Sequence, residues 1–271
     1  MHISPNETER TMKTVVITGG TRGIGYGMAS EFLKRDCQVV ICGRSSDSTQ
    51  AAVQSLAEQY GADHILGQAC DVSDYAQVQA LWDAAVSRFG AVDIWVNNAG
   101  LSHPPHQLWQ IDAERTKAVV DTNMLGVIYC NQVVISAMNE QGHGFIYNME
   151  GSGSSGRPMP TLLLYQLTKR ALKFMTDGLV KATKDLPVNV CYLSPGIVIT
   201  DLLMEGYTDA ELERVKRIFN ILGDKVETVT PYLVEEMLKN DQHGARIAWL
   251  KTPGIIWRFL TSPFNKRDLF S

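Results

Sequence analysis

Tyr165 and Lys169 stand four residues apart in LLLYQLTKRALKF, a segment that reads as a helix continuing to about Lys184. Residues i and i+4 of a helix share a face, so a phenol and an ammonium lie side by side. A free phenol titrates near pH 10, and a neighbouring ammonium stabilises the phenolate and draws that value down. Such a pair is a tunable acid/base, suited to protonating an alkoxide as hydride reaches a carbonyl. Taken alone, the same spacing also fits a surface pair on an amphipathic helix. Directly before the pair, NMEGSGSSGRP from Asn148 is rich in glycine and offers three hydroxyls, Ser152, Ser154 and Ser155.

A second centre lies near the N-terminus, in the run Thr18-Gly19-Gly20-Thr21-Arg22-Gly23-Ile24-Gly25. It follows a β-branched strand and opens a helix with Ile24, Met28, Phe32 and Leu33 on one face. Gly19 permits a tight turn, Gly23 lets the backbone approach a pyrophosphate, and Gly25 lets helix and strand pack closely. The helix N-terminus adds unpaired N–H groups and partial positive charge. An acid at the end of the second strand would bind a ribose hydroxyl and repel a 2′-phosphate. That strand ends ICGRSS instead, so Arg44 and Ser45 stand there and Arg22 sits in the turn; two guanidiniums favour NADP(H). Asp71 and Val72 follow the third strand, on the adenine side. Asn98, Ala99 and Gly100 follow the fourth, where strand ends line the ligand crevice.

The elements that position these groups alternate. Strands are expected at KTVVIT, CQVVICG, HILGQAC, AVDIWV, GFIYN, VNVCYL and ARIAWL, with helices between them, one long helical region running from about Asp112 to Met138. Alternation of this kind implies an α/β fold: a doubly wound parallel sheet covered on both faces, as one domain. Residues 1–12 read as a flexible N-terminus, about 197–225 as a lid, and 252–271 as a C-terminal tail; helical patterns occur at Asp209–Leu222 and Thr230–Lys239.

Composition narrows the class. The 271 residues carry a formal charge of -4, which does not suit a basic nucleic-acid surface. Five well-separated cysteines without a C-x-x-C read as reduced core thiols in a cytoplasmic protein. MHISPNETERTM lacks the apolar core of a signal peptide. No apolar stretch is read as long enough to span a bilayer.

TGGTRGIG, NNAG, Asn123 in DTNMLGV, YQLTK and SPGIVIT occur in that order. Together they resemble the short-chain dehydrogenase/reductase family over about Lys13 to Leu203. The resemblance implies a seven-stranded Rossmann domain that binds NAD(P)(H). It implies Tyr165 as general acid/base, with Lys169 lowering its pKa and bonding the nicotinamide ribose. Asn123 then holds a relay water, and Pro195, Gly196, Val198 and Thr200 hold the nicotinamide carboxamide. It further implies a homodimer or homotetramer packed through the long helices.

One family residue is out of place. The usual fifth-strand pattern, Asn-Ile-Ser-Ser, polarises the substrate carbonyl with its second serine; here the run is Asn148-Met149-Glu150-Gly151. Counting back from Tyr165 lands on Ser152, which becomes the first choice for the carbonyl donor, with Ser154 second. N-M-[DE]-G-x-G-S, G-R-P-x-P and Y-x-x-T-K-R resemble the chlorophyll b reductase branch of the family, which reduces a ring formyl group with reduced nicotinamide. The expectation is an NADPH-dependent carbonyl reductase for a large apolar ring substrate such as a tetrapyrrole. The alternatives are a ketoreductase for another hydrophobic substrate, and a non-catalytic NADP(H)-binding regulator.

Three features stay open. Glu150 is read as a cap or surface carboxylate, or else as an added acid near the site. His103 and His106, separated by two prolines, lack a third ligand and read as a rim loop, so no metal is expected. Trp249, Trp257, Phe259, Phe264 and Phe270, with Arg258, Lys266 and Arg267, read as packing against the lid or a neighbouring subunit, with membrane contact the less favoured alternative.

Overall fold

A computed structural model describes residues 12–154, 156–265 and 267–270. Ser155, Lys266 and nearly all of the expected N-terminal segment lie outside the described residues. The first strand, β1 (Thr14–Thr18), is buried along its whole length, as a β-branched run between two helical layers must be. It is followed by α1 (Gly23–Leu33), β2 (Gln38–Gly43), α2 (Ser46–Tyr60), β3 (Ile65–Ala69), α3 (Tyr75–Phe89) and β4 (Ile94–Asn97). Then come α4 (Ala113–Val120), α5 (Gly126–Gln141), β5 (Phe145–Met149), α6 (Leu163–Ala182) and β6 (Asn189–Ser194). The C-terminal part contains β7 (Ile197–Ile199), α7 (Asp201–Met204), α8 (Asp209–Leu222), β8 (Gly223–Lys225), α9 (Val226–Lys239), β9 (Arg246–Ala248) and α10 (Thr252–Thr261).

Seven strands form one parallel sheet in the order β3-β2-β1-β4-β5-β6-β9. The direction of winding reverses between β1 and β4, and in open α/β sheets that switch point is where ligands bind. Two apolar cores fill the two faces. Met28, Phe32, Leu56, Leu233 and Met237 pack one side; Leu81, Trp82, Val133, Val134 and Met138 pack the other. The expected single-domain, doubly wound fold is the observed one.

The structure departs from the sequence reading in particular places. The long helical region expected over Asp112–Met138 is interrupted: Asp121–Leu125 takes a wider π turn between α4 and α5. Ala113–Gln141 as a whole is long and apolar enough to cross a membrane by length and composition, contrary to the expectation. Its apolar residues have another use here, since Val127, Val133, Val134 and Met138 are buried among the core side chains against the sheet. A two-stranded parallel sheet, β7 with β8, brackets the lid region, a pairing too short to read from sequence. All five cysteines are free and buried.

The tail forms a helix of its own, α10, instead of only packing down. Phe270 stacks on the lid residue Phe219 at 6.4 Å between ring centroids. Asp224 of β8, itself buried, accepts from Trp249 Nε1 at 2.7 Å and pairs with Arg258 at 2.8 Å and Arg267 at 2.6 Å. That hub ties the tail to the lid. Trp257 and Phe264 still face solvent, so the packing expectation holds for only part of the aromatic set.

Candidate active site

The strand ends at the switch point open into a cleft of about 720 Å³. Of the expected cofactor residues, Gly19, Thr21, Arg22, Gly23, Ile24, Gly25, Arg44, Ser45, Asp71, Val72, Asn98, Ala99, Gly100 and Thr200 line it. Thr18 does not. Its hydroxyl donates to Val96 O at 3.3 Å and accepts from Asn98 and Ala99 N–H at 3.1 Å, bracing β1 against the segment after β4. Pro195, Gly196 and Val198 also lie off the cleft wall, and Val198 is buried in a core. Ser48, Leu101, Thr122 and Asp201 line the cleft without having been picked out, and Leu202 of the lid joins them. Nothing in their types marks them, because they arrive there through the chain path.

The turn is built for close approach. Gly19 adopts φ +64, and a Cβ there would meet the Ala99 Cα at 2.8 Å; a Cβ at Gly25 would meet the Gly19 carbonyl oxygen at 2.2 Å. No side chain caps the N-terminus of α1, whereas Ser45, Asp74, Asp112 and Thr208 cap α2, α3, α4 and α8. Uncapped N–H groups facing a glycine-lined cleft fit a dinucleotide pyrophosphate, which would occupy the position of the missing cap. Arg22 and Arg44 stand at the same mouth, and Arg22 lies 3.8 Å from Asp201 across it, both side chains largely exposed.

Deeper along the same edge, α6 brings Tyr165 and Lys169 against the end of β5. The Lys169 ammonium is buried, donates to Met149 O at 3.0 Å and lies 5.8 Å from the centroid of the Tyr165 ring. Burial pushes Lys169 down to about 8, against the opposing pull of the nearby Glu150 carboxylate. Tyr165 behaves differently from expectation: the surrounding protein pushes it up to about 12. The lysine's hydrogen bond is directed to a carbonyl, and burial of the phenol sets the direction of its shift.

Gly151 closes the site from the other side. A Cβ there would lie 2.5 Å from the Tyr165 hydroxyl oxygen and 3.1 Å from Lys169 Cγ. The place that the family gives to a serine, counted from Asn148, is therefore filled by the phenol itself. Ser152 is exposed and accepts from Gln166 Nε2 at 3.0 Å. Ser154 is buried, accepts from Gly151 N–H at 3.1 Å and donates to Lys169 O at 3.4 Å. Glu150 is neither a cap nor a surface group but fully buried and paired with Arg246 at 2.7 Å.

Asn123 sits in the π turn, a form that recurs at functional sites. Its amide clasps Leu101, accepting from N–H and donating to O, each at 2.8 Å, and also donates to Thr168 Oγ1 at 3.1 Å. Thr168 in turn donates to Tyr165 O at 2.7 Å. Both amide hydrogens are thus committed to positioning the loop and α6. His103 is buried instead of standing at a rim. Its Nδ1 lies 2.7 Å from Pro104 O, and its Nε2 accepts from Tyr165 N–H at 3.3 Å. It serves the start of α6, whose N-cap, Leu162, offers no side-chain hydrogen bond. Among the described residues, no three His, Cys, Asp or Glu side chains come together as a metal site.

A parallel doubly wound sheet with a glycine-turn cleft at its switch point is the framework of a dinucleotide-binding domain, and the Tyr–Lys pair stands at the end of β5 on the same edge of the sheet. The chain belongs to the short chain dehydrogenase family, whose model matches residues 13–211. It is 41% identical over 227 residues to the chlorophyll(ide) b reductase NOL, chloroplastic, of Oryza sativa subsp. japonica. That match covers 81% of this chain and 65% of the relative, so the chain spans under two-thirds of the relative's length. Among solved structures, a 3-ketoacyl-(acyl-carrier-protein) reductase from Brucella melitensis complexed with NADH superposes with a TM-score of 0.75 at 28% identity, covering 88% of this chain and 96% of that one. ElxO with NADP bound gives 0.74 at 29% identity over the same shares.

Proposed function

We propose that this chain is an NADPH-dependent carbonyl reductase acting on an aldehyde or ketone of a large apolar ring system, chlorophyll-like tetrapyrroles first. The observation that carries the reading is that the Tyr165 hydroxyl and the Lys169 stem both lie against the bare Gly151 backbone, with the Lys169 ammonium near Gly100 of the cleft wall. With a phenol near 12, Tyr165 keeps its proton throughout the neutral range and is available to give it to an alkoxide. The Lys169 ammonium then stabilises the phenolate left behind. A bound reduced nicotinamide dinucleotide supplies the hydride. Arg22 and Arg44 at the cleft mouth, with no acid at the end of β2, support NADPH over NADH.

Ser152 is the proposed carbonyl donor. Its oxygen accepts from Gln166, which leaves its hydrogen to give, whereas the Ser154 hydroxyl is used in both directions by the loop and α6. The ring substrate is supported by the lid. Leu202, Leu203, Met204, Leu212 and Ile218 are only half-buried in this fold and offer an apolar roof. The named activity of the Oryza relative points the same way. The test is to incubate the protein and NADPH with a formyl-bearing chlorophyllide and follow the product by absorption and mass. A two-hydrogen gain is expected; its absence, with fast turnover of small polar ketones, would remove the ring substrate.

Assembly through α5 and α6 is part of the same proposal. A groove between these helices is lined by Ile128, Ile135, Met175 and Leu179, and Phe174 of α6 is exposed beside it. A second copy of this chain is its proposed occupant. Light scattering showing only monomer at all concentrations would contradict it. A cytoplasmic location also stays a proposal, to be tested by fractionation of the tagged chain.

A further inference from the structure

The carboxylate of Glu150 is costly where it stands. It is among the most buried acids of the protein, one residue beyond β5, and taking a charge out of water costs several kcal/mol unless partners replace the solvent. Arg246 of β9 replaces part of it, with both Nε and a terminal nitrogen 2.7 Å from the same oxygen, Oε2. Oε1 is buried and has no hydrogen-bond partner. Arg–carboxylate pairs frequently use both oxygens in a parallel fork, which would have satisfied Oε1 as well. Moreover, the Arg246 side chain is 49% exposed, so water screens the cation while the anion stays in the interior.

The residues on either side both lie against Lys169: the Met149 carbonyl accepts from its ammonium, and a Cβ at Gly151 would come within 3.1 Å of its Cγ. Lys169 forms no direct ion pair among the described residues; its ammonium donates to a neutral carbonyl. We propose that Glu150 is a positioning residue for the catalytic pair: its half-compensated buried charge holds the Lys169 side chain in its ammonium form at the pH where the reductase works. The proposal rests on the reading that Tyr165 and Lys169 carry the proton transfer.

Other charges around α6 are already committed. Lys173 pairs with Asp177 on α6 itself at 2.8 Å, and the Tyr192 hydroxyl of β6 donates to that same Asp177 at 2.6 Å. Arg170 donates to Ser154 O at 2.9 Å. On the elements packed across from α6, Asp121 pairs with Lys117 and Arg115 with Glu205, and His103 is driven towards its neutral form by burial. Glu150 is the carboxylate left to act on Lys169, and it opposes the effect of burial there.

The test reads Lys169 directly and needs no substrate. In protein with 13C-labelled lysine, the Lys169 Cε resonance, assigned by its loss in Lys169→Met, is titrated against pH. Glu150→Gln is expected to move its midpoint down and Arg246→Gln to move it up, because the second removes the cation that offsets the acid. The alkaline fall of NADPH-dependent turnover should shift the same way, with about a tenfold difference in rate per unit of midpoint shift above it. An ion pair too far from Lys169, or too screened, to act on it leaves both midpoints where they are in the parent protein. Midpoints that move together, or do not move, overturn the proposal. If Glu150→Gln does not fold, the upward shift in Arg246→Gln decides alone. Loss of the ring-substrate activity leaves this titration unaffected.

Discussion

The two ends of the cleft are built from different materials. At the dinucleotide end, backbone does the work. Gly19 and Gly25 admit close approaches that any side chain would block, α1 presents uncapped N–H groups, and Thr18 locks β1 to the chain after β4. At the Tyr165–Lys169 end, side chains do the work: the pair is held by Met149 O, Thr168, Asn123 and His103, and the neighbouring lid keeps Leu202, Leu203 and Met204 only half-buried. A backbone cradle tolerates few residue types and so leaves a short motif. A side-chain site can be braced in many ways, and its supports leave scattered, ordinary residues.

The sharpest way to break this contrast is at the phenol. Tyr165→Phe keeps the ring and removes the proton, and should cost roughly 10²–10⁴ in turnover with NADPH binding nearly retained, as followed by cofactor fluorescence. A variant of near-normal rate would unseat Tyr165 as the acid. Gly151→Ala probes whether the Tyr165–Lys169 end also contains a backbone-only position. Its methyl would come within 2.5 Å of the phenol oxygen, so Tyr165 must shift. A displacement on the order of 1 Å can cost about 10²-fold, read in single-turnover hydride transfer, while the dissociation constant of NADPH should stay close to that of the parent.

At the opposite end, Arg44→Ala tests whether side chains add discrimination to the backbone cradle. Loss of a charge-assisted hydrogen bond of about 1.5–3 kcal/mol should weaken NADPH binding roughly 10- to 100-fold and leave NADH little changed. Calorimetry with both cofactors separates the cases, and equal losses would mean that Arg44 serves only the shared part of the molecule. The smallest effect is expected in the lid. Glu205 pairs with Arg115 at 2.5 Å, both side chains partly exposed. Glu205→Gln should change the midpoint of thermal unfolding by the equivalent of at most about 1 kcal/mol. A larger loss would show that the lid is held as firmly as the dinucleotide turn.

The wrong expectations share a cause. His103 read as a rim residue because prolines flank it, but it is the fold that turns it inward to accept the Tyr165 N–H. Glu150 read as a cap or surface group because acids are seldom buried without partners; its counter-ion Arg246 lies 96 residues away and could not be paired by pattern. The Tyr165 shift was read from its neighbour four residues on, yet burial by the surrounding protein decides its direction. The π turn at Asn123 has no periodicity of its own, being a single widened turn inside an otherwise regular helical pattern.

By itself, the sequence determined the class of fold, the glycine turn that opens the cleft, and the Tyr165–Lys169 pair proposed as the reacting groups. Each of these rests on local rules: strand and helix periodicity, glycines at a turn, and a helical spacing that puts two side chains on one face. Only the tertiary structure decided which residues support that pair, how closely Gly151 lies against it, and how burial shifts Tyr165 and Lys169. Desolvation depends on everything within several ångströms of a group, and those neighbours come from β5, β6, β9, α6 and the π turn at once. No window of sequence contains them together.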